Sequence, residues 1–115
     1  MENSINFIEF HVSDIEKSKA FFHGLFGWAY VDYGAQYADI TGAGVSGGLA
    51  LMPKEQIICG KSPLVVFYKS DLEAAQGKVV ALGGTITKEI FSFPGGRRFE
   101  FTDLDGNALA IWSDK

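Results

Sequence analysis

From Ile5 to Val12 the chain alternates, with Ile8, Phe10 and Val12 set against Phe7, Glu9 and His11. Such period-two alternation predicts a strand with one buried face. The period then changes. Ile15, Ser18, Phe22 and Leu25 fall on one stripe of a helix, the spacing of a helix that packs on a sheet. Ser13-Asp14-Ile15-Glu16 opens it as a capping box, in which a Ser hydroxyl and a Glu three residues on satisfy free amides. Gly27 closes it, as glycine does at a left-handed helix end. Strands are then predicted at Ala29–Tyr33, Gln36–Thr41 and Gly48–Met52, separated by Gly-containing turns.

The same order returns 57 positions later, where Ser70-Asp71-Leu72-Glu73 repeats the capping box. Leu72, Ala75, Val79 and Leu82 form the second helical stripe, and Gly84 stands where Gly27 stood. A short apolar run from Leu64 to Lys69, opened by Pro63, precedes that helix. Thr85–Phe91, Arg97–Asp103 and Ala108–Ser113 follow it as strands, the last two joined across Asp105-Gly106. Each half reads strand, helix, strand, strand, strand. The fold expected is α+β, with two tandem βαβββ modules in one domain over 1–115. Module 1 covers about 4–53, a connector 54–62 and module 2 about 63–115. A four-stranded sheet with one helix buries only one face well, so the two units are expected to pair.

Composition narrows the function classes. At 115 residues, 47% hydrophobic and 14% aromatic, the chain can bury a core and is no candidate for disorder. A net charge of −4 disfavours nucleic acid and anionic membranes as partners. Cys59 is the one cysteine, which excludes an internal disulfide and a multi-cysteine metal site. No run approaches the roughly 20 apolar residues of a membrane helix. Met1-Glu2-Asn3-Ser4 leads into no secretory pattern, so the cytoplasm is the expected compartment.

Several motifs together resemble the vicinal oxygen chelate superfamily, which includes glyoxalase I, bleomycin-resistance proteins and extradiol dioxygenases. They are Ser13-Asp14 leading to Lys19-Ala20-Phe21-Phe22 and Leu25-Phe26-Gly27-Trp28, then Ala81-Leu82-Gly83-Gly84, then Thr102-Asp103-Leu104-Asp105-Gly106-Asn107 with Trp112. The resemblance implies paired βαβββ modules whose curved, mixed sheets enclose a cavity, commonly supported by a homodimer. It also implies a divalent metal held by four side chains, which polarises vicinal substrate oxygens or activates dioxygen. The positions it assigns to those ligands are Phe7, Ala50, Leu64 (or Val65) and Ala110. None has a donor atom, and neither do Leu49, Leu51, Leu109 or Ile111 beside them. No metal and no other cofactor is therefore expected.

If Phe7 faces the cavity, alternation puts Glu9 and His11 there too, with Val66 and Tyr68 as their repeat mates. Glu9 and His11 are the candidate base and acid, or the grip on a polar ligand group. Against this stands the plain reading that both only solvate a wet sheet face. Phe7, Val66, Tyr68, Arg98, Phe101 and Trp112 are the candidate ligand contacts. Either Arg97 or Arg98 is expected at the rim, suited to a carboxylate or phosphate; Tyr37 and Phe99 are further candidates for an aromatic wall. His23, in the last turn of the first helix, reads as structural, favoured there by the helix dipole. Cys59, beside Gly60 and without an arranged base, reads as an ordinary thiol.

Two strings are chance matches. Gly42-Ala43-Gly44-Val45-Ser46-Gly47 has the dinucleotide spacing but opens no helix, and Gly60-Lys61-Ser62 lacks the upstream Gly of a phosphate loop. Three functions are then compatible with the chain. The first is a metal-free protein of the bleomycin-resistance type that holds a small molecule. The alternative is a lyase- or isomerase-type enzyme using Glu9 and His11 or a relocated metal. The third is a partner protein with a vestigial cavity. A homodimer is expected, because small modules leave long sheet edges. Phe21 and Phe26, flanking the first stripe, are candidates for contacts between modules or subunits.

Overall fold

The computed structural model describes residues 2–3, 5–57 and 64–115. Cys59, Gly60-Lys61-Ser62 and Pro63 lie outside the described residues. The chain divides into two compact units, Met1–Ile57 and Ile58–Lys115. Each is a βαβββ module, and the fold is α+β.

In the first unit, β1 (Phe7–Val12) leads to α1 (Ile15–Phe26), then β2 (Ala29–Asp32), β3 (Tyr37–Thr41) and β4 (Ser46–Leu51). The strand order is β1-β4-β3-β2, with β1 parallel to β4 and the other pairs antiparallel. Ile15, Ser18, Phe21, Phe22 and Leu25 are buried on α1. Phe22 packs against Phe10 with ring centroids 5.3 Å apart, which fixes Phe10 and Val12 on the helix side of the sheet. Trp28 stacks on Phe22 at 4.9 Å and on Phe26 at 5.1 Å, so an aromatic cluster fills this core. Phe21 meets Phe22 edge-on at 5.2 Å and is 2% exposed, which leaves it no surface for a second subunit.

The second unit repeats the order: β5 (Val65–Tyr68), α2 (Leu72–Ala81), β6 (Thr85–Phe93), β7 (Gly96–Thr102) and β8 (Ala108–Ser113). Its strands run β5-β8-β7-β6, again with only the first pair parallel. Leu72, Ala75 and Val79 on α2 are buried, as are Phe99, Phe101, Leu109 and Ile111 on the strands. Leu82, expected on the stripe, is only partly covered because the helix ends at Ala81.

The caps differ from expectation in one detail. The carboxylate of Asp14 accepts from the Lys17 amide and that of Asp71 from the Ala74 amide, both at 3.0 Å. The aspartates cap, one residue after the serines, because they hold the extended backbone just outside the helix. Gly27 ends α1 at φ +76°, whereas Gly83 rather than Gly84 takes the left-handed turn after α2, at φ +99°. Strand β6 also runs two residues further than expected, and Pro94-Gly95 makes the hairpin into β7.

Candidate functional site

On β1, alternation turns Phe7, Glu9 and His11 away from α1, because Phe10 and Val12 are committed to the core. His11 Nε2 lies 3.0 Å from Glu9 Oε2, with the two side chains 42% and 40% exposed. Pairing extends this face across the sheet. Glu9 stands opposite Gly48, which stands opposite Asp39; His11 stands opposite Ala50, which stands opposite Tyr37. The Tyr37 ring leans over Gly48. A Cβ there would come within 2.2 Å of the Tyr37 hydroxyl, so the absent side chain makes the room the ring occupies. Tyr37 donates toward the Glu9 carboxylate. Burial first, then the charges of Glu9 and Asp39, push its hydroxyl above the usual phenol range. The result is a proton donor, a carboxylate and an imidazole in a row.

The corresponding face of the second module holds Val66 and Tyr68, both substantially exposed, with Trp112 opposite Tyr68 and Arg98 opposite Trp112. The Tyr68 and Trp112 rings meet edge-on at 5.1 Å. Tyr68 donates to Asp114 at 2.6 Å, which raises the phenol and lowers the carboxyl from their usual values. Arg98 Nη2 donates to Glu100 at 3.0 Å.

One expected ligand contact falls elsewhere. Phe101 is 1% exposed and alternates with Arg98, Glu100 and Thr102, so it belongs to the core under α2 with Phe99 and not to a ligand wall. Arg97, facing the helix side, donates to both Glu73 oxygens at 2.6 and 3.2 Å. Between the two arginines, Arg98 is the one on the open face. His23 Nδ1 lies 2.9 Å from the Trp28 carbonyl oxygen and ties the helix end to the next strand. A depression of about 240 Å³ at the start of α2 is lined by Lys69, Ser70, Asp71, Ala74, Ala75 and Lys78.

Residues 4–111 match the family model for the glyoxalase/bleomycin resistance protein/dioxygenase superfamily. The chain belongs to this superfamily. Solved structures share its fold. A glyoxalase-related enzyme from Fulvimarina pelagi superposes with a TM-score of 0.81 at 21% identity, covering 96% of this chain and 88% of that one. A fosfomycin resistance protein, FosX from Listeria monocytogenes, complexed with Mn(II) and 1S,2S-dihydroxypropylphosphonic acid, gives 0.81 at 20% identity over 98% and 91%. A hypothetical protein from S. aureus gives 0.77 at 21% identity over 98% and 94%. No curated protein matches the chain.

The superfamily's metal chemistry can be tested against the residues present. Register equates Ala110, opposite Val66, with Gly48, opposite Glu9, and equates Ala50 with Trp112. Neither Phe7, Gly48, Ala50, Leu64 nor Ala110 carries a donor, and among the described residues no three His, Cys, Asp or Glu side chains gather.

Sequence reasoning missed Asp39 and the role of Gly48, and it took Tyr37 only for an aromatic wall. The signal for Tyr37 and Asp39 was available within their own strand: Ala38 and Ile40 are apolar and buried, so Tyr37 and Asp39 had to face the other way. Which glycine of Gly47-Gly48 lies beneath the ring depends on cross-strand register, and alternation within one strand does not supply that.

Proposed function

We propose that this protein binds a small molecule on the helix-free faces of its sheets without the superfamily's metal quartet, with Glu9, His11 and Tyr37 as the polar grip. The observation that carries this reading is the row Tyr37, Glu9, His11 laid over Gly48. An exposed ion pair contributes at most about 1 kcal/mol to stability. Glu9 and His11 are therefore poorly explained as structural, and a ligand that uses Glu9 as acceptor and Tyr37 as donor gives them a purpose. Phe7 would supply apolar contact beside that grip; on the second module's own face Val66, Tyr68 and Trp112 offer apolar surface and Arg98 a positive charge.

A lyase- or isomerase-type activity is the second reading. The observation favouring it is that Glu9 has an imidazole on one side and a phenol held neutral on the other, an arrangement able to move a proton. The chain would act as a homodimer. Val31 and Tyr33, 48% and 62% exposed at the β2 edge, give apolar surface for such a contact, and light scattering at micromolar concentration would read a single-chain mass if this is wrong.

A metabolite library screened by thermal shift tests the binding reading. A ligand at 100 times its dissociation constant adds about 2.7 kcal/mol. The expected result is a ligand whose binding Glu9→Gln and His11→Ala weaken at least tenfold while the unliganded melting temperature hardly moves. Loss of stability with unchanged binding would make the pair structural.

A further inference from the structure

Strand β6 breaks its alternation against β7 twice, between Ile86 and Lys88 and between Lys88 and Phe91. A bulge re-aims the side chains that follow it. Here the breaks set Lys88 opposite Glu100 and Phe91 opposite Arg98, so residues three apart share one face with Trp112. The Lys88 ammonium lies 4.2 Å from the Phe91 ring centroid, and the Arg98 guanidinium carbon lies 5.4 Å from it. The ring's quadrupole attracts both cations and offsets part of their repulsion. Glu100 offsets another part through Arg98 Nη2. The remainder is unmet: among the described residues Lys88 has no ion pair, and the buried Nε of Arg98 has no acceptor. A buried N–H without an acceptor is a standing penalty, and a guanidinium fork is shaped for two oxygens of one oxyanion. The Arg98 side chain is 33% exposed through atoms other than the covered Nε, so a solvent oxyanion approaches the side chain from that exposed part.

We propose that Lys88, Arg98 and the Phe91 ring form a subsite for the oxyanion of a small organic acid or phosphate monoester, whose carbon skeleton lies against Trp112. This names a ligand class for the binding function proposed above and rests on it. The neighbouring rings of Tyr68 and Phe93, 5.1 and 6.4 Å from that of Trp112, extend the apolar ground beside the charge.

Phenyl phosphate is the probe, titrated into ¹⁵N-labelled protein, with benzyl alcohol as the neutral counterpart. Phenyl phosphate should shift the Trp112 indole and Arg98 Nε–H resonances saturably, and benzyl alcohol should not. Lys88→Met and Arg98→Lys should each weaken binding at least tenfold. Lys17→Met, which removes one exposed charge from α1, should change it less than twofold. Lys88 is exposed, so its substitution tests the idea even if the Arg98 variant folds poorly. Equal shifts with benzyl alcohol, an unchanged affinity in Lys88→Met, or no shift anywhere in β6 to β8 would overturn the subsite. Shifts that persist in Glu9→Gln support it even if the library screen returns no Glu9-dependent ligand, so the two ideas fail separately.

Discussion

The two modules share one lattice and fill it with different chemistry. Glu9, His11, Asp39 and Tyr37 occupy the points held in the second module by Val66, Tyr68, Glu100 and Arg98. The first face therefore offers an acidic and titratable row, while the second offers aromatic surface with positive charge at its side. Beneath the sheets the contrast reverses. Gly47, opposite Ile8, corresponds to Leu109, opposite Val65, and the first core carries instead the cluster of Phe10, Phe22, Phe26 and Trp28. A duplicated fold thus keeps its strand order and its aspartate N-caps, and it varies what they carry.

The largest expected difference lies in the cores. Phe22 and Val79 are repeat mates, and both are fully buried. Phe22→Ala should cost about 3–5 kcal/mol, against about 2 kcal/mol for Val79→Ala, which removes two methyl groups. Urea unfolding would measure both, and equal losses would contradict a heavier dependence of the first core on its helix-borne aromatic.

The adjacent glycines sharpen the comparison within one strand. A Cβ at Gly47 would sit 2.7 Å from the Ile8 carbonyl oxygen, a backbone atom with little freedom. The nearest atoms to one at Gly48 are at the outer end of the Tyr37 ring. Gly47→Ala should therefore cost about 1–3 kcal/mol. Gly48→Ala should hardly affect stability, yet it should bring the Tyr37 phenol back toward its ordinary titration range in ultraviolet difference spectra. A large stability loss from Gly48→Ala with no change in that titration would reverse the roles assigned here.

Where the modules agree, the effects should agree. Asp14→Ala and Asp71→Ala should each cost about 1 kcal/mol, and a loss at only one of them would show that the caps are not equivalent.

The smallest effect concerns the turn after β7, where Asp103 stands among the buried residues. Burial raises its carboxyl above the usual range, against hydrogen bonds from the Asn107 side chain and from the amides of Asn107 and Asp105 that lower it. In the window between the ordinary and the raised value the folded state binds more proton than the unfolded state. Stability should then fall as pH rises through that window. Relative to Asp103→Asn, wild-type protein should lose stability over this interval, and parallel curves in urea unfolding would remove the effect.

Most of the fold was legible because its signals are local. Both capping motifs, both stripes and the alternation from Phe7 to Val12 are set by neighbouring residues, and the offset of 57 between Asp14 and Asp71 revealed the duplication. Glu9 and His11 were placed on one face by the same alternation. Legibility ended where a side chain's direction depends on a partner strand. Phe101 was named as a ligand contact, and its place opposite the buried Leu109 on the partner strand is what commits it to the core. The bulges of β6 hid the meeting of Lys88 and Phe91, because strict period two separates residues three apart.

The most direct test of the central claim is one calorimetric titration, in which the strongest ligand from the library screen is titrated into wild-type protein with and without EDTA and into Glu9→Gln. Equal affinity with and without the chelator, and at least tenfold weaker binding to Glu9→Gln, is the predicted result. Binding abolished by EDTA, or unchanged in Glu9→Gln, would contradict a metal-independent grip built on Glu9, His11 and Tyr37.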